Sequence, residues 1–180
     1  MPEDKRLHNE NLSTKAKAGK YLTFSLDNEE YGLEILKVRE IIGLMEITRV
    51  PRSPHYIRGV INLRGKVIPV LDLRLKFDLE AAVDTDQTCI IVVEVQNQDM
   101  SLMAGIVVDS VSEVLDIKSG EIEDTPQLGN GVETEFILGM AKVKEEIKIL
   151  LDIDSVLRTA DISMLDESTE YAEDLELQSV

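Results

Sequence analysis

Hydrophobic residues fall in short runs of Val, Ile and Leu, each interrupted by a polar or glycine-bearing turn. Such β-branched runs favour strands over long helices. Tyr21 to Leu26 alternates apolar and polar side chains and predicts a strand. Asp27 to Glu30 supplies a turn, and Tyr31 to Ile35 returns. Val38 to Leu44 and Glu46 to Val50 predict two more strands. Pro51 to Gly59 predicts one helical turn, with Ser53 as cap, Pro54 at the first helical position and Gly59 closing it. After a connector from Phe77 to Gln87, strands are predicted at Thr88 to Val95, Ser101 to Val108 and Val111 to Ile117. Ser119 to Thr134 is an acidic loop, blocked from regular structure by Pro126 and by Gly129-Asn130-Gly131. Asp152 to Arg158 predicts a short helix.

The stretch Tyr56 to Leu73 reads as a hairpin. Gly65-Lys66 between two β-branched runs suits a two-residue type II′ turn. That loop sets Leu63 opposite Ile68 and Ile61 opposite Val70, four apolar side chains on one face. Asn62, Arg64, Val67 and Pro69 take the other face. Pro69 has no N–H to give a ladder, which predicts an edge strand or a bulge.

The same stretch returns at Phe136 to Ile153 without a gap. Gly59 falls on Gly139, Ile57 on Ile137, Leu63 on Val143, Val67 on Ile147 and Asp72 on Asp152, a shift of 80 residues. Upstream, Tyr31-Gly32-Leu33 with Val38-Arg39-Glu40-Ile41 echoes Ala104-Gly105-Ile106 with Val111-Ser112-Glu113-Val114. The second hairpin has Glu145-Glu146 in place of Gly65-Lys66, which predicts a different turn geometry. A duplicated run of short strands joined by tight turns predicts an all-β chain of two similar barrels, each of about five strands. The expected layout is a leader over 1–19 without order and a domain over 20–158. Its first barrel covers about 20–80 and its second about 87–150, with strand exchange between them. An acidic tail, helical or without order, occupies 159–180.

Composition narrows the function. The formal net charge of −16 opposes nucleic acid and anionic membrane surfaces, which are held by cationic groups. No apolar run approaches the roughly 20 residues of a membrane span, and Met1 to Lys20 lacks the apolar core of a signal peptide, so a cytoplasmic protein is expected. The single cysteine, Cys89, cannot form an internal disulfide and reads as a small buried hydrophobe. Charge is uneven: nine basic residues lie between Lys37 and Lys76, whereas Ala81 to Glu135 holds twelve carboxylates and only Lys118 as a base. Asp161 to Val180 carries seven carboxylates and no base. Such polarity suits two differently charged partners or a head-to-tail assembly, and equally a solvated face.

No pattern of catalysis emerges. His8 and His55 are isolated, one cysteine with two distant histidines does not make a zinc site, and no phosphate-cradling glycine loop occurs. Asp72 and Asp152 follow equivalent strands, which assigns them to turns or caps. With no cofactor or metal expected, binding remains, carried by exposed groups on rigid strands. Arg64 beside the tight turn presents a fork suited to carboxylates or carbonyls, against an internal salt bridge or solvated tip as the plain alternative. Val38 and Glu40 share a face of the third predicted strand.

Three stretches together carry a family resemblance. They are Glu30-Tyr31-Gly32-Leu33-Glu34-Ile35-Leu36-Lys37-Val38-Arg39-Glu40-Ile41, Gly59-Val60-Ile61-Asn62-Leu63-Arg64-Gly65 and Pro69-Val70-Leu71-Asp72-Leu73-Arg74. They resemble the CheW family of bacterial chemotaxis adaptors, and Gly105-Ile106-Val107-Val108-Asp109-Ser110-Val111 is similar to the second half of its pattern. The resemblance implies two five-stranded SH3-like β-barrels sharing a hydrophobic core, with short helices. It implies a non-catalytic adaptor that couples methyl-accepting chemotaxis receptors to the regulatory domain of the histidine kinase CheA. In that family a groove between the barrels holds the tip of a receptor's helical hairpin. The implied partner-binding positions are Val38, Glu40, Gly59 and Arg64, with Asn62 beside them on the hairpin. The alternatives are a CheW-like module of a CheV-type or CheA-type protein, or an unrelated small barrel that binds a small ligand. A chain filled by two barrels leaves no room for a kinase or receiver domain, and the acidic tail is not typical of the family.

Overall fold

The structure, a computed structural model, describes residues 16–97, 99–128 and 134–157. Its strands are β1 (Gly19–Leu26), β2 (Glu29–Glu34), β3 (Val38–Gly43), β4 (Ile57–Leu63), β5 (Lys66–Asp72), β6 (Cys89–Asn97), β7 (Met100–Val108), β8 (Ser110–Ile117), β9 (Ile122–Glu123), β10 (Ile137–Val143) and β11 (Glu146–Leu151). Two one-turn helices, α1 (Leu73–Lys76) and α2 (Ile153–Val156), and 3-10 turns at Ile35–Lys37 and Ser119–Glu121 complete it.

Each half of the chain lends its hairpin to the other half. One sheet runs β3-β6-β7-β5-β4 and the second β8-β1-β2-β11-β10-β9. β5 lies parallel to β7 with Val70 beside Gly105, and β11 lies parallel to β2 with Leu150 beside Gly32. Neither half builds a sheet from its own strands alone. The chain leaving β3 closes the five-stranded sheet on β4, where Thr48 and Val60 exchange backbone bonds of 2.9 and 2.8 Å. β9 closes the other sheet on β10 in the same way, with Glu123 beside Met140. The two closed sheets fit the SH3-like description.

The largest core cluster joins the sheets: Leu22, Phe24 and Leu33 of one pack with Leu71, Ile91 and Ile106 of the other. A relay of rings runs through it from Phe24 to Tyr31, Phe77 and Phe136, with centroids 5.8, 6.0 and 5.1 Å apart. Each barrel also has its own interior, one built on Ile61, Ile68 and Ile90, the other on Tyr21, Ile117 and Leu150. Burying these side chains, at about 1.5–3 kcal/mol each, is what holds strands of such low local order together.

The duplication is exact in register. Adding 80 to every residue of the β4–β5 ladder gives the β10–β11 ladder, including the bulge at Ile57/Gly59 and Ile137/Gly139. The Asp72 N–H donates to Tyr56 O at 2.7 Å and the Asp152 N–H to Phe136 O at 2.8 Å. Both carboxylates cap their helices, accepting from Leu75 N–H and Ser155 N–H at 3.4 Å.

Several sequence expectations are corrected. The loop of the first hairpin lies one residue earlier than expected, which shifts the pairing by two: Leu63 pairs with Lys66 instead of Ile68, and Ile61 with Ile68 instead of Val70. The loop is Arg64-Gly65, with φ of 53° and 84°, both left-handed as a type I′ turn requires. Asn62 Oδ1 fixes it by accepting from Gly65 N–H at 2.8 Å. The second hairpin keeps this geometry instead of departing from it, since Lys144 and Glu145 take φ of 51° and 67°. Strand pairing imposes the turn even on residues that disfavour it. β5 is an interior strand, not an edge. Pro69 is tolerated because its partner Val60 directs both backbone bonds to Thr48, and the ladder to β7 begins only at Val70. Residues 46–50 contribute only the Thr48 bridge, and 51–56 form turns instead of a helix. There Ser53 Oγ donates back to Val50 O at 2.7 Å, so it caps nothing. The leader is packed from Ala16 onward: Ala16 is buried in the second barrel, and Tyr21 OH donates to Lys17 O at 2.5 Å. His8 and the acidic tail lie outside the described residues.

Candidate functional site

The type I′ turn at Arg64-Gly65 projects the Arg64 guanidinium toward β3. There Glu40 receives it, with Nη2 at 2.7 Å from Oε2 and 3.0 Å from Oε1. The alternating burial of β3 places Val38, Glu40 and Ile42 on the sheltered face and Arg39 and Ile41 outside. Glu40 is therefore half-buried while Arg64 remains 75% exposed, an anchored guanidinium with donors free for a second acceptor. An exposed pair of this kind contributes only about 0–1 kcal/mol to folding. Beside it lie exposed Asn62 and, across the ladder, Val67 at 37% exposed.

The five sequence candidates thus separate. Glu40 and Arg64 meet directly, and Asn62 secures the turn that carries Arg64 through Gly65 N–H. Val38 packs half-buried against the shared core, opposite Val93. Gly59 is buried with φ of 143°, and a Cβ there would sit 2.7 Å from the Thr48 carbonyl carbon and closer still to its oxygen. Its service is to let the Thr48 segment close the barrel, and it presents no group to a partner. Ile41, next to Glu40 and 45% exposed, escaped the sequence reading, although its position between two inward residues marks it as outward.

Two further ion pairs brace the junction of the barrels. Arg74 on α1 grips Asp109 through Nε–Oδ1 and Nη2–Oδ2, both 2.7 Å. Lys37 holds Asp154 on α2 at 2.7 Å. Arg58 bonds Asp72 through Nε at 3.1 Å and Asp84 through both terminal nitrogens at 2.9 and 2.8 Å, pinning the connector. Hydrogen bonds from these arginines hold the Asp84 and Asp109 carboxyls below their usual range. Much of the basic first half is therefore neutralised internally. An open depression of about 810 Å³ between the second barrel and the connector is lined by Glu29, Glu30, Asp109, Glu145 and Glu146 with Arg74 among them. Among the described residues no group of three or more His, Cys, Asp or Glu side chains converges to hold a metal. No helix of the described residues is long and apolar enough to cross a membrane.

Residues 20–161 match the model of the CheW-like domain. The chain belongs to the CheW family of chemotaxis adaptors. It is 38% identical over 146 residues to the chemotaxis protein CheW of Klebsiella aerogenes, covering 81% of this chain and 86% of that one. To the chemotaxis protein CheW of Bacillus subtilis it is 34% identical, covering 80% and 89%. Among solved structures it is similar to the scaffolding protein TtCheW from Thermoanaerobacter tengcongensis, with a TM-score of 0.70 and 35% identity over 81% of this chain and 96% of that one. The exchanged hairpins and the Glu40–Arg64 pair are thus set on a CheW scaffold.

Proposed function

We propose that this chain is a non-catalytic cytoplasmic coupling protein that links the tips of methyl-accepting chemotaxis receptors to the regulatory domain of the histidine kinase CheA. Membership of the CheW family over residues 20–161 is the observation that carries this reading. The site geometry supports it, because rigid strands display a cationic group with spare donors beside exposed apolar and amide surface. In this reading Arg64, Glu40 and Asn62 meet the partner directly. Val38 and Gly59 act through the shape of the barrel beneath them. The working unit is 20–158, with the two barrels acting as one body because they share a core.

The reading is tested by reconstitution. Receptor-bearing vesicles, CheA and the purified full chain are mixed, and co-sedimentation of CheA and its autophosphorylation are followed. The chain should increase both in a saturable way. If CheA sediments to the same extent with and without the chain, the coupling role is wrong.

A further inference from the structure

The basic residues of the first half have an unequal fate. Lys37, Arg39, Arg58, Arg64 and Arg74 each pair with a carboxylate: Asp154, Glu94, Asp72 with Asp84, Glu40 and Asp109 respectively. Arg49 and Arg52 are exposed and pair with no carboxylate among the described residues. Both lie in the segment that closes the five-stranded barrel, and the backbone of Arg52 is held at φ of 62° in an exposed turn. Arg49, the Arg58–Asp72 ion pair and the apolar residues Ile47, Val50 and Leu75 line an open depression of about 480 Å³, and Arg52 follows three residues on without lining it. The lining thus combines apolar surface with the unpaired charge of Arg49.

The chain itself supplies a complementary segment. Asp161 to Val180 has no base, and its carboxylates are interleaved with Ile162, Met164, Leu165, Leu175 and Leu177. We propose that this acidic–apolar tail docks on its own molecule, in the depression lined by Arg49 next to the exposed Arg52. Charge selects this depression over the larger one beside the connector, whose lining sets Glu29, Glu30, Asp109, Glu145 and Glu146 against Arg74 alone and so repels the tail on balance. It also selects the first barrel over the second. Thr48 and Glu123 are equivalent closing residues, so the position matching Arg49 is Asp124. Reach is ample: the 23 residues from 158 to 180 span up to about 75 Å when extended, against a core about 40 Å across. The docked tail covers the basic loop electrostatically, so it binds at low ionic strength and releases as salt screens the contact.

The test uses the full chain with a nitroxide at Ser168→Cys, and separately at Gln178→Cys, each in a Cys89→Ser background. Amide signals are followed by NMR. In low salt the amides of residues 47–58 should lose most of their intensity from at least one label site. That loss should be independent of protein concentration, and should disappear in high salt and in Arg49→Glu/Arg52→Glu. Intact peak dispersion in every variant guards against misfolding. Loss that grows with protein concentration would assign the depression to the tail of a second copy, and loss elsewhere or none from either label would remove the tail from it. Each of these results overturns the proposal.

Discussion

Arg74 and Asp109 make the contact that Lys37 and Asp154 make at the opposite junction, but with the charges exchanged. In one the base stands on α1 and the acid follows β7; in the other the base stands on the 3-10 turn after β2 and the acid on α2. Each acid also accepts a backbone N–H at 2.9 Å, Asp109 from Asp27 in the β1–β2 turn and Asp154 from Gln96 near the end of β6. Arg74 and Asp154 are matched by the 80-residue shift, whereas the 73-residue shift that sets Val38 on Val111 sets Lys37 on Ser110, next to Asp109.

Asp109→Asn should therefore cost about 1.5–3 kcal/mol at neutral pH, the range for hydrogen bonds to a charged group. The folded carboxyl is held below its ordinary value of 3.8, chiefly by the Arg74 bonds. Its stabilising contribution is then present above 3.8 and fades as pH falls through the folded value. Urea unfolding of both proteins across this range should show the difference shrinking in acid. A constant difference would show that the ionised form gives no stability here.

The two barrels are not equally apolar inside. Ile68, 1% exposed, has Lys148 as its counterpart at 5% exposed. The matched ladders place Glu30 where the other barrel has Met103. Lys148 pairs with Glu30, whose Oε1 accepts from Ser112 Oγ at 3.4 Å, and burial pushes the lysine's pKa down. Lys148→Met alone strands Glu30 and should cost about 1–3 kcal/mol, moderated because Glu30 retains some solvent. The double change Glu30→Met with Lys148→Ile, copying the first barrel, should recover that loss or exceed wild type by about 1–4 kcal/mol. Equilibrium unfolding of the set decides it, and additive losses would contradict it.

Gly59 and Gly139 occupy equivalent bulges but differ in clearance. A Cβ at Gly59 overlaps the Thr48 carbonyl, whereas at Gly139 it meets Ala16 Cβ and Glu123 O at 3.1 Å. Gly59→Ala should thus lower thermal stability severely, by about 3 kcal/mol or more, and Gly139→Ala by much less. Any binding defect of Gly59→Ala should track its unfolding. A well-folded Gly59→Ala with lost binding would restore a direct interface role.

What the sequence disclosed was local. The repeat, both capping aspartates and most strands were legible because alternation, glycine position and spacing are properties of neighbouring residues. The hairpin register was misread because Gly65 looked like the first loop residue, while Arg64, an ordinary L-residue, in fact takes the first left-handed position with Asn62 securing the turn. The exchange of hairpins was legible only as an expectation drawn from duplication. Pairing of Val70 with Gly105, or Leu150 with Gly32, joins residues too far apart for any local pattern. Glu40 and Arg64 were both singled out, yet nothing in their 24-residue separation announced that they touch.

The second turn offers a check on that account. Glu145 holds φ of 67° without a glycine's freedom. Glu145→Gly, which restores the residue found at Gly65, should stabilise by about 1 kcal/mol in thermal unfolding. No change, or a loss, would mean that the Glu145 side chain contributes more than its backbone costs.

The Glu40–Arg64 pair carries the central claim. Arg64→Ala removes an exposed guanidinium from a rigid turn, and surface changes of this kind typically alter folding by within about 0.5 kcal/mol. As an interface anchor, the same side chain should be worth about 1–3 kcal/mol of partner affinity. The decisive measurement pairs the melting temperature of Arg64→Ala with its affinity for the CheA regulatory domain and for receptor-bearing vesicles. Unchanged melting with weakened binding to at least one partner is the predicted result. Lowered melting with binding lost only in proportion, or full affinity for both partners, would contradict the account.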